Sequence, residues 1–149
     1  MKKIVNYSII YTILALIGGA FYREFTKFNA YFAWTTLSVV HTHYLILGMM
    51  FFLILGLVEM NIHFVNEKVK KYLILYHAGL NITTIMLVVR GIVQVKQMDI
   101  GSAVISGMAG IGHIVLGIAL ILILIQIKQA CKDPCFFLQS HIIYKIHLI

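Results

Sequence analysis

The chain has 149 residues, of which 61% are hydrophobic and only 11% charged, and its mean hydropathy is +0.95. A soluble globule carries about a quarter of its residues charged, so this composition excludes one and points to a single integral membrane domain. The net charge of +7 does not signal nucleic acid, because the Lys and Arg residues are scattered between apolar runs and form no stripe on a soluble face.

Met1-Lys2-Lys3 followed by the apolar run Ile4 to Tyr22 suits either a signal peptide or a first span. The run is long enough to cross a bilayer at about 1.5 Å per residue. It also carries Tyr7, Tyr11, Gly18 and Tyr22 on one helical face, a pattern for packing against other helices. A retained first span is therefore expected. Arg23 to Thr36 mixes charges with Phe25, Phe28, Tyr31, Phe32 and Trp34, which suits an aromatic segment lying in the headgroup layer.

Three further spans are expected, from about Leu37 to Glu59, Tyr72 to Val95 and Ser102 to Ile127, followed by a juxtamembrane tail over 128–149. Lys2, Lys3, Lys68, Lys70, Lys71, Lys128 and Lys132 then fall on one side, against Arg23, Lys27 and Lys96 on the other. The positive-inside rule makes both termini cytoplasmic. The fold expected is an all-α four-span bundle, its partners the lipid bilayer and either further copies of itself or another membrane subunit.

The tail holds Cys131, Cys135, His141 and His147, which have zinc-ligand chemistry, but the gap between the two pairs is far shorter than in a Cys2His2 finger. Two cysteines in a cytosolic tail are expected to stay reduced. An ordinary hydrogen bond is the expected role for His63, His141 and His147, outside the spans.

Four histidines fall inside the spans: His41, His43, His77 and His113. Ionisable groups at membrane depth are rare and costly, which makes each a candidate for function. On the second span His41, Gly48, Phe52 and Glu59 share a sector expected to face the bundle, and His43 is turned by about 200° from His41. On the third, His77, Asn81, Thr84, Val88 and Gly91 form one face and Thr83, Arg90 and Gln94 another, so the helix should be buried on both. On the fourth, Ser102, Ser106, Gly110, His113 and Gly117 make a small-residue face expected to pack closely and take His113 inside.

Two counts of depth conflict. Span boundaries put His41 and His43 near the outer end, His113 near mid-membrane and His77 toward the cytoplasm. Laying His43-Tyr44-Leu45-Ile46-Leu47-Gly48 over Gly112-His113-Ile114-Val115-Leu116-Gly117 at Leu-Gly instead puts His43 and His113 at one level. Arg90 falls near the His41 and His43 level by either count.

Neutral imidazoles from facing helices ligate haem iron, copper or zinc, and a four-helix bundle is a known host for such ligands. The favoured reading is a b-type haem or transition-metal site using His113 and one of His41 or His43, with Arg90 available for a propionate. Two other classes stay open: a proton or small-solute path along the histidines with Glu59, Asn81 and Thr84, and an accessory or scaffold subunit without ligand. Hydrolytic and nucleotide chemistry is set aside, since no phosphate-binding Gly-rich loop, GxSxG or HExxH is present.

The segment Tyr22-Arg23-Glu24-Phe25-Thr26-Lys27-Phe28, the Val40-His41-Thr42-His43 motif with Leu47-Gly48-Met49, Val89-Arg90-Gly91, and Ser106-Gly107-Met108-Ala109-Gly110-Ile111-Gly112-His113 together resemble a family of small four-span bacterial membrane proteins catalogued as a domain of unknown function, number 2871. The likeness runs from the first span to about Gln126 and leaves the Cys-containing tail outside. It implies a four-span architecture and a bacterial inner-membrane location, and it carries no activity.

Overall fold

The computed structural model describes residues 2–98 and 102–132, and the side chains of all of these except Lys2, Ser102 and Ala103. The zinc-like set of the tail lies outside the described residues except for Cys131, which is exposed.

Every regular element among the described residues is helical. α1 spans Lys2–Phe28. A second rod follows, built of a 3-10 turn (Thr36–Val39), α2 (Val40–His43), a π-helical stretch (Tyr44–Met50) and α3 (Phe51–Ile62). α4 spans Glu67–Val95 and α5 spans Ser102–Ala130. All four rods are long and apolar enough to cross a membrane.

The helices run past the expected spans at most ends. The largest change is at Arg23 to Phe28, where the charged aromatic stretch continues α1 and does not form a separate interfacial helix. Only residues 29–35 turn the chain over, with Ala30 in the left-handed region (φ 48°) and Phe28, Phe32 and Trp34 left exposed. Exposed aromatics at one end of a bundle suit a headgroup belt.

The turns close by satisfying the orphan backbone groups of the helix ends. Gln94 Oε1 accepts from the Thr36 N–H (2.9 Å) and the Thr35 hydroxyl (3.1 Å), pinning the start of the second rod to the end of α4. At the opposite end His63 caps α3 in the left-handed region (φ 50°), Glu59 Oε2 accepts from the Val65 N–H (2.9 Å), and Asn66 Oδ1 caps α4 by accepting from Val69 N–H (3.0 Å).

Close helix approach comes from glycines, as membrane packing requires. A Cβ on Gly79 would lie 2.6 Å from the Leu116 backbone N, and one on Gly112 would lie 2.9 Å from that of Thr83, so α4 and α5 are antiparallel neighbours in near backbone contact. A Cβ on Gly48 would lie 2.5 Å from Tyr11 Cγ, and one on Gly91 2.7 Å from Leu37 N. The expected close-packing face of α5 is a different matter. Among the described residues nothing lies within 4 Å of where a Cβ would be on Gly110 or Gly117, and His113 is exposed, so that face is open and the opposite one, Gly112 and Leu116, makes the contact.

The second rod is also not the regular helix its sequence suggests. Its π-helical stretch weakens the local backbone ladder, and the Leu47 carbonyl there accepts the Tyr76 hydroxyl at 2.8 Å. The core sits beside it: Tyr11, Tyr44, Phe52, Tyr76 and Leu80 are all buried.

Candidate functional site

The structure sorts the four intramembrane histidines into three environments. His41 lies against α1, where a Cβ on Gly19 would lie 3.7 Å from its own Cβ; its Nδ1 is buried without a hydrogen-bond partner. His43, about 200° away on the same helix, faces α5 instead, and its ring centroid is 6.1 Å from that of His113 with the planes at 86°. His77 belongs to neither, sitting in an aromatic cage made by α1 and the second rod.

The levels agree with this sorting. Tyr44 reaches Asn81 and Gly112 packs on Thr83, so the residues beside them, His43 and His113, both stand opposite the middle of α4. This is the register of the Leu-Gly overlay. Arg90 is exposed and next to Gly91, which packs on Leu37, so it lies about one helical turn outward of His41, not at the His41 and His43 level.

The hydrogen bonds of His43 and His113 are alike and decide their chemistry. His43 Nδ1 is 2.8 Å from the Val39 carbonyl oxygen, and His113 Nδ1 is 2.8 Å from that of Ala109, each four residues back on its own helix. A carbonyl only accepts, so in both neutral rings Nδ1 carries the hydrogen and Nε2 carries the lone pair. The same carbonyl contacts hold the rings in orientation, as hydrogen-bond partners do for metal-ligating histidines. Two imidazoles thus meet at an exposed edge of the bundle, neither Nε2 taking a hydrogen bond among the described residues.

The His77 cage works differently. The ring stacks on Phe52 (centroids 4.7 Å, 8°) and meets the Tyr7 ring edge-on at 4.5 Å, while Nδ1 is 2.6 Å from the Tyr11 hydroxyl. Asn81 organises the rest, its Nδ2 donating to the Tyr11 hydroxyl (3.2 Å) and the His77 carbonyl (2.8 Å) and its Oδ1 accepting from the Tyr44 hydroxyl (3.2 Å). Helical angle puts Asn81 on the His77 face but does not name Tyr7, Tyr11 and Tyr44 as the surroundings of that histidine. The signal lies in the tyrosines, since a hydroxyl buried in an apolar span needs a partner.

Among the described residues no group of three or more His, Cys, Asp or Glu side chains converges to hold a metal ion. No curated protein and no solved structure matches the chain. A family model does, over residues 1–130, and its description is a protein of unknown function, DUF2871. The chain belongs to that family. Within DUF2871 the match takes in all four rods and all three histidine environments and stops before Cys131, so the two cysteines stand apart from what defines the family.

Proposed function

We propose that this DUF2871 protein is a multi-pass protein of the bacterial inner membrane in which His43 and His113 would hold a b-type haem used for electron transfer or sensing. The observation that carries the reading is the pair itself: two Nδ1–H-bonded imidazoles with free Nε2 atoms and centroids 6.1 Å apart. An imidazole nitrogen sits about 2.0–2.1 Å from a bound metal and about 1.1 Å from its ring centre, so rings on opposite sides of one ion would have centroids about 6.2–6.4 Å apart, close to the separation seen. Adjacent ligands of a tetrahedral ion would bring them to about 5 Å.

A pair of imidazoles with no third ligand favours haem over a bare copper or zinc ion. Two protein ligands leave a bare ion under-coordinated, and no third ligand joins them among the described residues. A porphyrin supplies four nitrogens of its own. Gly110 and Gly117, three residues before and four after His113, leave open space on the same helix face for the flat ring. Arg90, about 12 Å along α4 from Ile82 beside Gly112, would supply the cation for a propionate. His41 and His77 take no part in this site.

The test is an oxidised and reduced visible spectrum of detergent-purified protein expressed with a haem precursor. A Soret band with reduced α and β bands is expected, lost in His43→Ala and in His113→Ala and retained in His41→Ala. Gly110→Leu fills the open face without touching a packed residue and should also abolish the band. A colourless wild type, or a spectrum unchanged in either ligand variant, overturns the proposal.

For orientation, the lysine-rich end supports cytoplasmic termini. Lys3, Lys68, Lys70, Lys71, Lys128 and Lys132 sit at the end where α1 and α4 begin and α3 and α5 finish.

A further inference from the structure

At the lysine-rich end lies a cavity of about 390 Å³ lined by Lys3, Ile4 and Tyr7 of α1, Leu73, Ile74 and His77 of α4, and Glu59 of α3. That is within the roughly 300–1,000 Å³ of small-molecule sites, and its apolar walls with a few polar groups are typical of them. Two of the charges near the mouth are already engaged. Glu59 holds the Val65 N–H, and Lys70 is paired with Glu67 at 2.6 Å, which leaves Lys3 as the available cation.

The hydrogen bonds around His77 show what the floor of this cavity lacks. Asn81 spends both amide hydrogens, one of them on the Tyr11 oxygen, and its own oxygen is taken by Tyr44. The Tyr11 hydroxyl therefore has its own hydrogen to give, and the acceptor 2.6 Å away is His77 Nδ1. The His77 hydrogen is thereby placed on Nε2, which is buried and has no partner. A buried N–H without an acceptor is costly, and the missing group is an acceptor oxygen.

We propose that this gap binds a membrane-soluble quinone, one ring carbonyl accepting the His77 Nε2–H, the opposite carbonyl facing Lys3, and the tail leaving past Ile74 into the bilayer. Each part of the ligand answers a feature of the site. The ligand must bring an acceptor because the free group on His77 is a donor, and a quinone carbonyl is one. A flat ring suits the aromatic wall, where Tyr7 both lines the cavity and packs edge-on against His77; its ring turns aside to admit the ligand to Nε2. An apolar tail suits Ile4, Leu73 and Ile74, the last 69% exposed where the gap opens sideways. The site is separate from the His43–His113 edge and does not depend on its occupancy.

The test is calorimetric titration of the protein in lipid nanodiscs with a decyl-substituted benzoquinone, against empty nanodiscs. Saturable one-to-one binding above the empty-disc partition is expected, weakened at least tenfold in His77→Phe and in Ile74→Trp and changed less than twofold in His113→Ala. Ile74→Trp plugs the gap from an exposed position and leaves the Tyr11–His77–Asn81 network intact, so it decides the matter if His77→Phe does not fold. Decanoate offers an acceptor oxygen and an apolar tail without a ring, and should displace the quinone only at far higher concentration. No binding above empty discs, unchanged affinity in either folded variant, or displacement by decanoate at equal concentration overturns the proposal.

Discussion

Single glycines carry much of the residue-scale specificity, and their surroundings predict opposite responses to one added methyl. At Gly48 a Cβ would sit 2.5 Å from Tyr11 Cγ, inside a stack where Tyr11 lies between Tyr44 and Phe52 (centroids 5.7 Å to each). The ring cannot retreat without breaking its contacts with His77 and Asn81. Gly48→Ala should therefore cost about 1–3 kcal/mol, the usual range for overpacking a tight core. At Gly110 the same methyl enters open space, and the better helix propensity of Ala makes the change neutral to stabilising by up to about 1 kcal/mol. Thermal unfolding of the two variants in one detergent compares them directly; equal destabilisation would mean that the α5 face is covered.

The Asn81 amide is a second point where one residue ties several others together. Replacing it with Leu removes three hydrogen bonds at once and strands the Tyr44 hydroxyl in the core. Tyr44→Phe removes one. Interhelical hydrogen bonds in membranes average about 0.6 kcal/mol and reach about 1.7. Tyr44→Phe should fall in that range, while Asn81→Leu should exceed about 2 kcal/mol because buried polar groups are left unpaired. Chemical denaturation in mixed micelles measures both; similar losses would show that the two outer bonds of Asn81 contribute little.

At the scale of elements, the π-helical stretch decides what the second rod presents. A π-helical turn accommodates one extra residue with little rotation of the helix beyond it, so deleting one residue inside it should give a regular helix with Phe52 and Gly56 still facing α1. Deleting exposed Ile46 should therefore fold, losing mainly the Tyr76 bond to the Leu47 carbonyl. The same deletion at exposed Leu53, in the regular helix of α3, turns the preceding and following segments by about 100° relative to each other. That variant should fail to give a monodisperse species on size exclusion. The reverse order of tolerance would remove the π-helix as the reason for the facing of α3.

The four rods are legible in the sequence because a long apolar run has few alternatives in a membrane protein, and the opposite aims of His41 and His43 come from helical angle alone. The π-helical stretch is not legible: Tyr44 to Met50 contains no proline, and its one glycine has an ordinary packing use against Tyr11. The α5 face misleads because small residues signal close approach without saying which of two small-residue faces is approached. Gly112 and Gly110 are two positions apart and lie on opposite sides of the helix. The pairing of His43 with His113 is one of several combinations the sequence allows, since span ends set depth only to within a few residues while the Gly79–Leu116 and Gly112–Thr83 contacts set the register of α4 and α5.

For the whole molecule, charge at the two ends predicts how the bundle sits in its membrane. The lysine-rich end also holds Glu59 and Glu67, yet acidic residues contribute little to topology, and the count of Lys and Arg near the span ends decides. At the other end Arg23, Lys27 and Lys96 sit among aromatic side chains, with Lys96 Nζ 5.7 Å from the Phe25 ring centre, an anchoring arrangement suited to a headgroup layer. Under the proposed cytoplasmic orientation of the termini, Cys131 lies behind the permeability barrier of an intact cell. A membrane-impermeant maleimide should then leave the wild-type chain unlabelled in spheroplasts and label it after permeabilisation. In a chain with both native cysteines changed to Ser, Phe32→Cys, which replaces a 96% exposed side chain at the opposite turn, should label in intact spheroplasts. The opposite pair of results would invert the bundle and open the gap between α1 and α4 toward the periplasmic side, while leaving the geometry of both histidine sites unchanged.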